Sequence, residues 1–373
     1  MSDGSKPNYS PGLEGVIAGE SAIGLVDSDS GLFYRGYDVH DLAKQATFEH
    51  VAYLLLQGEL PDTMQLTDFR RQLAVDRPLP AALVEVLRLQ PRSTVLMDSL
   101  RTGASMLGAF DPDLNDLSHE ANLRKGTRLV ARLSMIAATA SRLAAGHPAV
   151  APRDDLGFAE NFLFVLEGRE PEAWRVKVID TLSILYAEHD FNASTFAARV
   201  TCSTLADMYA GVTAALAALK GPLHGGANEE AMKMFHELES AHDVAAWVRD
   251  RLARKQKIMG FGHRVYKKGD KRADVMREMA RQIGEHVGQP QWAKAGESLE
   301  KVMLEEKNLY ANADLYAAPL FHMLGISESL NTPVFAAARV AGWAAHITEQ
   351  QDHNRLIRPR SWYTGPRPRP LPA

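Results

Sequence analysis

Apolar residues recur at three- and four-residue spacing in segment after segment of this 373-residue chain, and that pattern constrains the fold most. Pro80 to Leu89, Ser93 to Leu107, Thr127 to Ala145, Leu156 to Leu166 and Glu172 to Tyr186 all carry it, separated by short polar breaks. Gly126 and Gly146-His147-Pro148 read as the bounds of the third segment, and Phe196 to Lys220 reads as one long helix closed by Gly221-Pro222. Only Ser21 to Tyr34 reads as a hairpin, followed by a turn at Arg35-Gly36-Tyr37-Asp38. The pattern predicts an all-α fold with a large bundle-like helical domain, a smaller helical domain and a minor N-terminal β-hairpin. The expected division is 1–222 with 325–373 for the large, discontinuous domain and 223–324 for the small one, whose helices are shorter and more charged. Arg358 to Ala373, rich in Pro and Arg, is expected to be extended.

Composition narrows the function classes. A formal charge of −4 argues against bulk electrostatic binding of nucleic acid. The single cysteine, Cys202, sits in an apolar run, which excludes an internal disulfide and suits a buried thiol in a reducing compartment. The first residues form no signal-like apolar stretch, and no apolar run is long enough to span a bilayer. The expectation is a cytoplasmic protein with neither membrane nor nucleic-acid partners.

Four breaks between helices carry chemistry-bearing residues. In Gly221-Pro222-Leu223-His224-Gly225-Gly226-Ala227-Asn228, His224 lies just ahead of a helix that Asn228 is expected to cap. A helix N-terminus disfavours imidazolium, and a neutral histidine can donate to a carbonyl oxygen that is gaining charge. In Gly260-Phe261-Gly262-His263-Arg264-Val265-Tyr266 the glycines are read as letting the backbone approach a ligand, and Asp270 as the cap that sets Arg272 in a first helical turn, suited to a carboxylate. Asp314, in Asn312-Ala313-Asp314-Leu315-Tyr316, reads either as an N-cap or as a general base kept ionised by a helix N-terminus. Glu188-His189-Asp190-Phe191-Asn192-Ala193-Ser194 supplies another loop histidine. Each break alone has a plain structural reading as a cap or a loop.

Together the stretches GPLHGGAN, GFGHRVYK followed by Asp270 and Arg272, NADLY, EHDFNAST and ARVAGWAAH resemble the citrate synthase family, including 2-methylcitrate synthase, in its compact homodimeric form. The resemblance runs from GLEGV to RPRSWYTG. It implies condensation of acetyl-CoA with oxaloacetate, and water, to citrate and CoA through an enol or enolate. Asp314 would take the methyl proton, His224 would donate to the thioester oxygen and His263 would polarise the ketone. His189, Arg272 and Arg339 would hold the substrate carboxylates beside Phe335, and Arg358 would reach into the active site of the other subunit of a homodimer. CoA, a substrate and product rather than a resident cofactor, would lie along Ile258, Met259, Gly260, Phe261 and Gly262, with Asn312 near its pantetheine arm and Lys267 near its phosphates. No metal is implied. Propionyl-CoA is the alternative acyl donor.

One position departs from the family pattern: Lys271 stands where proline is usual, and a looser clamp around Arg272 is expected. Two readings of other classes compete. A metal-dependent hydrolase could use His189, His224, His263 and Asp314, though no HExxH or closely spaced ligand pair occurs, and a non-catalytic helical scaffold would bind no CoA.

Overall fold

The computed structural model describes residues 9–29, 31–225, 227–239, 243–262, 266, 269–366 and 368–371, without the side chains of residues 227–229. His263 and Lys267, expected at the site, lie outside the described residues.

The β-structure is one small antiparallel sheet of β1 (Gly24–Asp27), β2 (Gly31–Tyr34) and β3 (Tyr37–Asp38), in that order. The segment expected as a turn after the hairpin thus adds a short third strand, with Tyr34 paired to Tyr37. Five helices follow: α1 (Val39–Gln45), α2 (Phe48–Gln57), α3 (Thr63–Asp76), α4 (Ala81–Leu89) and α5 (Leu96–Leu107). Asp38 and Asp62 cap α1 and α3 through their side chains, and Gly58 ends α2 in the left-handed conformation.

Next come α6 (His119–Ala144), α7 (Phe158–Glu167), α8 (Ala173–Tyr186), α9 (Ala193–Cys202) and α10 (Met208–Leu219). Two sequence expectations are corrected here. Helix α6 starts at His119 and runs through Gly126, which is a packing residue rather than a stop. A Cβ at that position would lie 3.0 Å from Leu56 and 3.1 Å from Ala344, so glycine lets α6 approach its neighbours. The Phe196–Lys220 run is two helices, because the Asp207 side chain accepts from Ala210 N and starts α10, with Leu205 at φ +67° in the break.

The remaining helices are α11 (Ala227–Glu239), α12 (Val244–Ala253), α13 (Lys271–His286), α14 (Gln291–Lys307), α15 (Ala313–Met323) and α16 (Asn331–Asp352). Helix α11 begins at Ala227, so Asn228 lies inside it rather than capping it. Helices α11 to α15 pack on one another, with α15 against α11, α13 and α14. Helix α16 is buried on every face, and its small residues Ala336, Ala337, Ala338, Ala341, Gly342, Ala344 and Ala345 let α2, α6, α8, α9 and α10 close around it. Residues 353–371, where described, have no regular structure and are almost all exposed. No helix among the described residues is long and apolar enough to cross a membrane.

Candidate active site

One cavity of about 520 Å³ is lined by His189, His224, Gly262, Arg272, Asn312, Asp314, Phe335 and Arg339, residues drawn from five separate stretches of chain. A larger cavity of about 680 Å³ lies over α3, α7 and α8, but it gathers none of the expected site residues.

His224 follows the C-terminus of α10, its N–H donating to Gly221 O at 2.9 Å. The Ser194 backbone N–H points at His224 Nε2 (3.3 Å) and Ser194 Oγ lies 2.9 Å from the same nitrogen. A backbone N–H can only donate, so we assign Nε2 as the acceptor and place the proton of the neutral ring on Nδ1. Ser194 is itself held by Asn192 Oδ1 (2.7 Å) and by the Trp343 indole N–H (3.2 Å). Burial first, and the Arg339 charge second, pull the imidazole down to about 4. The neutral histidine expected from the sequence is therefore present, but its cause is burial beside a guanidinium rather than a helix N-terminus.

Asp314 is not the cap of α15. Asn312 is, its Oδ1 accepting from Asp314 N at 3.0 Å, and Asp314 occupies the first turn. Burial pushes its carboxyl up to about 6, against the pull of Arg272 and with a further push from Asp270. The expected cause, a helix N-terminus favouring the ionised form, gives way to burial, which makes Asp314 a more basic carboxylate that is still largely ionised at neutral pH.

Asp270 caps α13 and accepts from both Arg272 Nε (3.0 Å) and Nη2 (2.7 Å), while its Oδ2 also accepts from Ala313 N (3.2 Å). One buried carboxylate thus ties the starts of α13 and α15 together and orients Arg272. Lys271 sets the start of α13 against α1 and the sheet. Its carbonyl accepts from His40 Nε2 at 2.6 Å, and its stem lies so close to Gly31 that a Cβ there would stand 2.7 Å from Lys271 Cδ. Arg339 is buried; its Nε donates to Tyr186 O and its guanidinium lies 4.6 Å from the centre of the Phe335 ring. The Tyr186 ring meets Phe335 edge-on at 4.4 Å, and His189 meets Tyr266 edge-on at 5.6 Å.

Ile258, Met259, Gly260 and Phe261 do not line this cavity. Their loop instead runs antiparallel to residues 310–312, with Phe261 bridged to Ala311, Gly262 N donating to Tyr310 O and Asn312 N donating to Gly260 O, both 2.9 Å. Gly260 (φ +83°) also serves packing, since a Cβ there would lie 2.8 Å from Leu315 Cα. Arg358 is exposed on the tail and lies outside the cavity of its own chain. Among the described residues, no group of three or more His, Cys, Asp and Glu side chains is placed to hold a metal ion.

Sequence reasoning missed Ser194, Trp343 and the pairing role of Asp270. Ser194 and Trp343 stand inside the quoted stretches, but only the fold reveals that they meet His224.

The family model for the citrate synthase C-terminal domain matches residues 12–360. The chain belongs to the citrate synthase family. Family members are condensing transferases, and this chain is such an enzyme. It is 45% identical over 356 residues to citrate synthase 2 of Bacillus subtilis, covering 95% of each chain. It is 44% identical to the 2-methylcitrate synthase of Shewanella oneidensis, covering 99% of this chain and 98% of the relative. Among solved structures it superposes on citrate synthase from Thermotoga maritima with a TM-score of 0.87 at 39% identity, covering 97% of both chains. It superposes on the ternary complex of the Thermoplasma acidophilum citrate synthase with carboxymethyl coenzyme A and oxaloacetate with a TM-score of 0.92 at 32% identity, covering 98% of both.

Proposed function

We propose that the 520 Å³ cavity condenses acetyl-CoA with oxaloacetate to citrate and CoA. The observation that carries this reading is the meeting, in one cavity, of a carboxylate raised to about 6, an imidazole lowered to about 4 and two buried guanidiniums. The complex of the Thermoplasma relative with a CoA analogue and oxaloacetate supports it. Asp314 takes a proton from the thioester methyl group while His224 Nδ1–H donates to the thioester oxygen, so the charge that develops is met where it forms. The enol carbon attacks the ketone carbon of oxaloacetate, which His263 polarises, and water then cleaves the citryl thioester to release CoA. His189, Arg272 and Arg339 hold the two carboxylates of oxaloacetate, beside Phe335.

CoA is assigned to the 258–262 loop with Asn312 at the pantetheine arm and Lys267 near the phosphates. Residues 223–324 are proposed to close over 1–222 and 325–373, excluding water before the carbon nucleophile forms. A homodimer would bring Arg358 to the site of the second copy.

The close likeness to 2-methylcitrate synthases favours a second reading, with propionyl-CoA as the acyl donor. One methylene is worth only ~1–3 kcal/mol in an apolar pocket, so few side chains decide the preference. Initial rates with each thioester and oxaloacetate, followed by thiol release, separate the two. Acetyl-CoA is expected to show the higher kcat/KM; a higher value for propionyl-CoA establishes the second reading, and no thiol release with either overturns both.

A further inference from the structure

Glu188 precedes His189 and is fully buried, yet the reaction just described does not use it. Its carboxylate is wedged between two backbones. A Cβ on Gly24 would lie 2.9 Å from Oε1, and one on Gly342 would collide with Oε2, so glycine on both sides makes room for this side chain alone. Oε1 is 3.0 Å from His346 Nε2, while Oε2 is buried and has no hydrogen-bond partner among the described residues. On its far side His346 Nδ1 stands 3.1 Å from Arg199 Nη1, and a guanidinium can only donate, so Nδ1 accepts and Nε2–H donates to Glu188. Arg199 in turn is paired with Glu349 at 2.6 Å. A buried carboxylate with an oxygen left without a donor is costly, and such a group calls for a reason.

Arg339 supplies the reason. It is among the largest fully buried side chains, donates only to Tyr186 O, and has no carboxylate within ion-pair distance among the described residues. Arg272, by contrast, has Asp270 as a direct partner. We infer that Glu188, held by the Arg199–His346 relay, is the internal counter-ion of Arg339: a positioning residue that balances this guanidinium from a distance and leaves its face open for a substrate carboxylate. Burial pulls Arg339 down to about 10, and Glu188 is the strongest influence in the opposite direction. Tyr34 from β2, Tyr186 from α8 and Arg272 from α13 also bear on Arg339, whose charge His224 and Tyr266 feel in turn; Asp190 and Arg35 stand close enough to Glu188 to feel its charge.

The inference rests on Arg339 holding an oxaloacetate carboxylate. Its sign is specific, because a carboxylate behind the guanidinium repels the incoming dianion while it keeps the arginine charged. Glu188→Gln keeps the shape and the acceptor for His346 but removes the charge. By calorimetric titration with oxaloacetate at neutral pH, this variant should bind about threefold or more tightly than the wild type. Its affinity should also fall away at a lower pH than that of the wild type as the solution is made alkaline. Glu188→Asp, which keeps the charge, should match the wild type in both respects. Unchanged or weaker binding in Glu188→Gln, or an equal change in Glu188→Asp, overturns the counter-ion role and leaves Glu188 a packing residue. If Glu188→Gln does not fold, a shifted alkaline limb in Glu188→Asp is by itself the overturning result. Arg339→Gln tests the underlying reading separately: undiminished oxaloacetate binding there removes Arg339 from the site, whereas weakened binding with no effect of Glu188→Gln defeats only the counter-ion.

Discussion

Asp314→Asn should make this protein more stable while it stops catalysis, and the size of the gain follows from the burial of the carboxylate. In the folded chain the Asp314 carboxyl is raised from 3.8 to about 6. Two pKa units correspond to about 3 kcal/mol of difference between the protonated and ionised forms. Because the folded value lies above the unfolded one, the folded state binds the extra proton between those two pH values, and stability falls as pH rises through that window. Above about pH 6 the full penalty of holding an ionised carboxylate in the cavity is present, and below about pH 4 none of it is. Asparagine carries no charge to desolvate. The variant is therefore expected to melt higher than the wild type at pH 8, by an amount equivalent to about 3 kcal/mol, and the two curves should converge at about pH 4. Turnover should fall by about 10²–10⁴, the contribution of a general base, while oxaloacetate binding, assigned above to His189, Arg272 and Arg339, should persist. Differential scanning calorimetry over this pH range, with a turnover assay, reads both effects. A variant that melts at or below the wild type at pH 8, or a difference that does not vary with pH, would refute the electrostatic account of the site.

Two further outcomes test other links. The acid limb of kcat/KM for the acyl-CoA should turn near pH 6 with unit slope, because Asp314 loses its competence there while His224, lowered to about 4, stays neutral; a limb near 4 would point to the histidine instead. Gly260→Ala should cost about 3 kcal/mol in thermal or urea unfolding, combining positive-φ strain with a clash against Leu315, whereas Gly262→Ala meets only Leu309 at 3.8 Å and should cost about 1 kcal/mol; equal costs would mean that α15 yields to the added methyl.

The helices were legible in the sequence wherever a local signal ended them. Asp62, Gly58 and Asp270 behave as their residue types predict, because capping and left-handed backbone are decided within a few residues. Gly126 misled because its meaning is tertiary: it is a gap for Leu56 and Ala344, neither of which is near it in the chain. The break at Asp207 was hidden inside an apolar run whose periodicity continues across it. At the site, the residue types of Asp314 and His224 were readable from short motifs, but their electrostatics were not. A helix N-terminus was the only local charge available to the argument, and the fold sets burial, Arg339 and Arg272 above it.

Those distant influences converge because a single face of α16 organises the loops that carry His189 and His224. Arg339 donates to Tyr186 O, Gly342 N donates to Ala187 O at 3.2 Å, Trp343 donates to Ser194 Oγ and His346 donates to Glu188. These four positions follow the spacing i, i+3, i+4, i+7, one stripe of a helix, so the whole 186–194 segment is read out by one rigid surface. Through Ser194 the same stripe reaches His224. Asp314 belongs to a different packed group, on α15 against α11 and α13, and Asp270 is the polar link that registers α15 with Arg272. A disturbance of the α16 face therefore reaches the 186–194 segment and His224 together, whereas one in α15 reaches Asp314 and, through Asp270, Arg272.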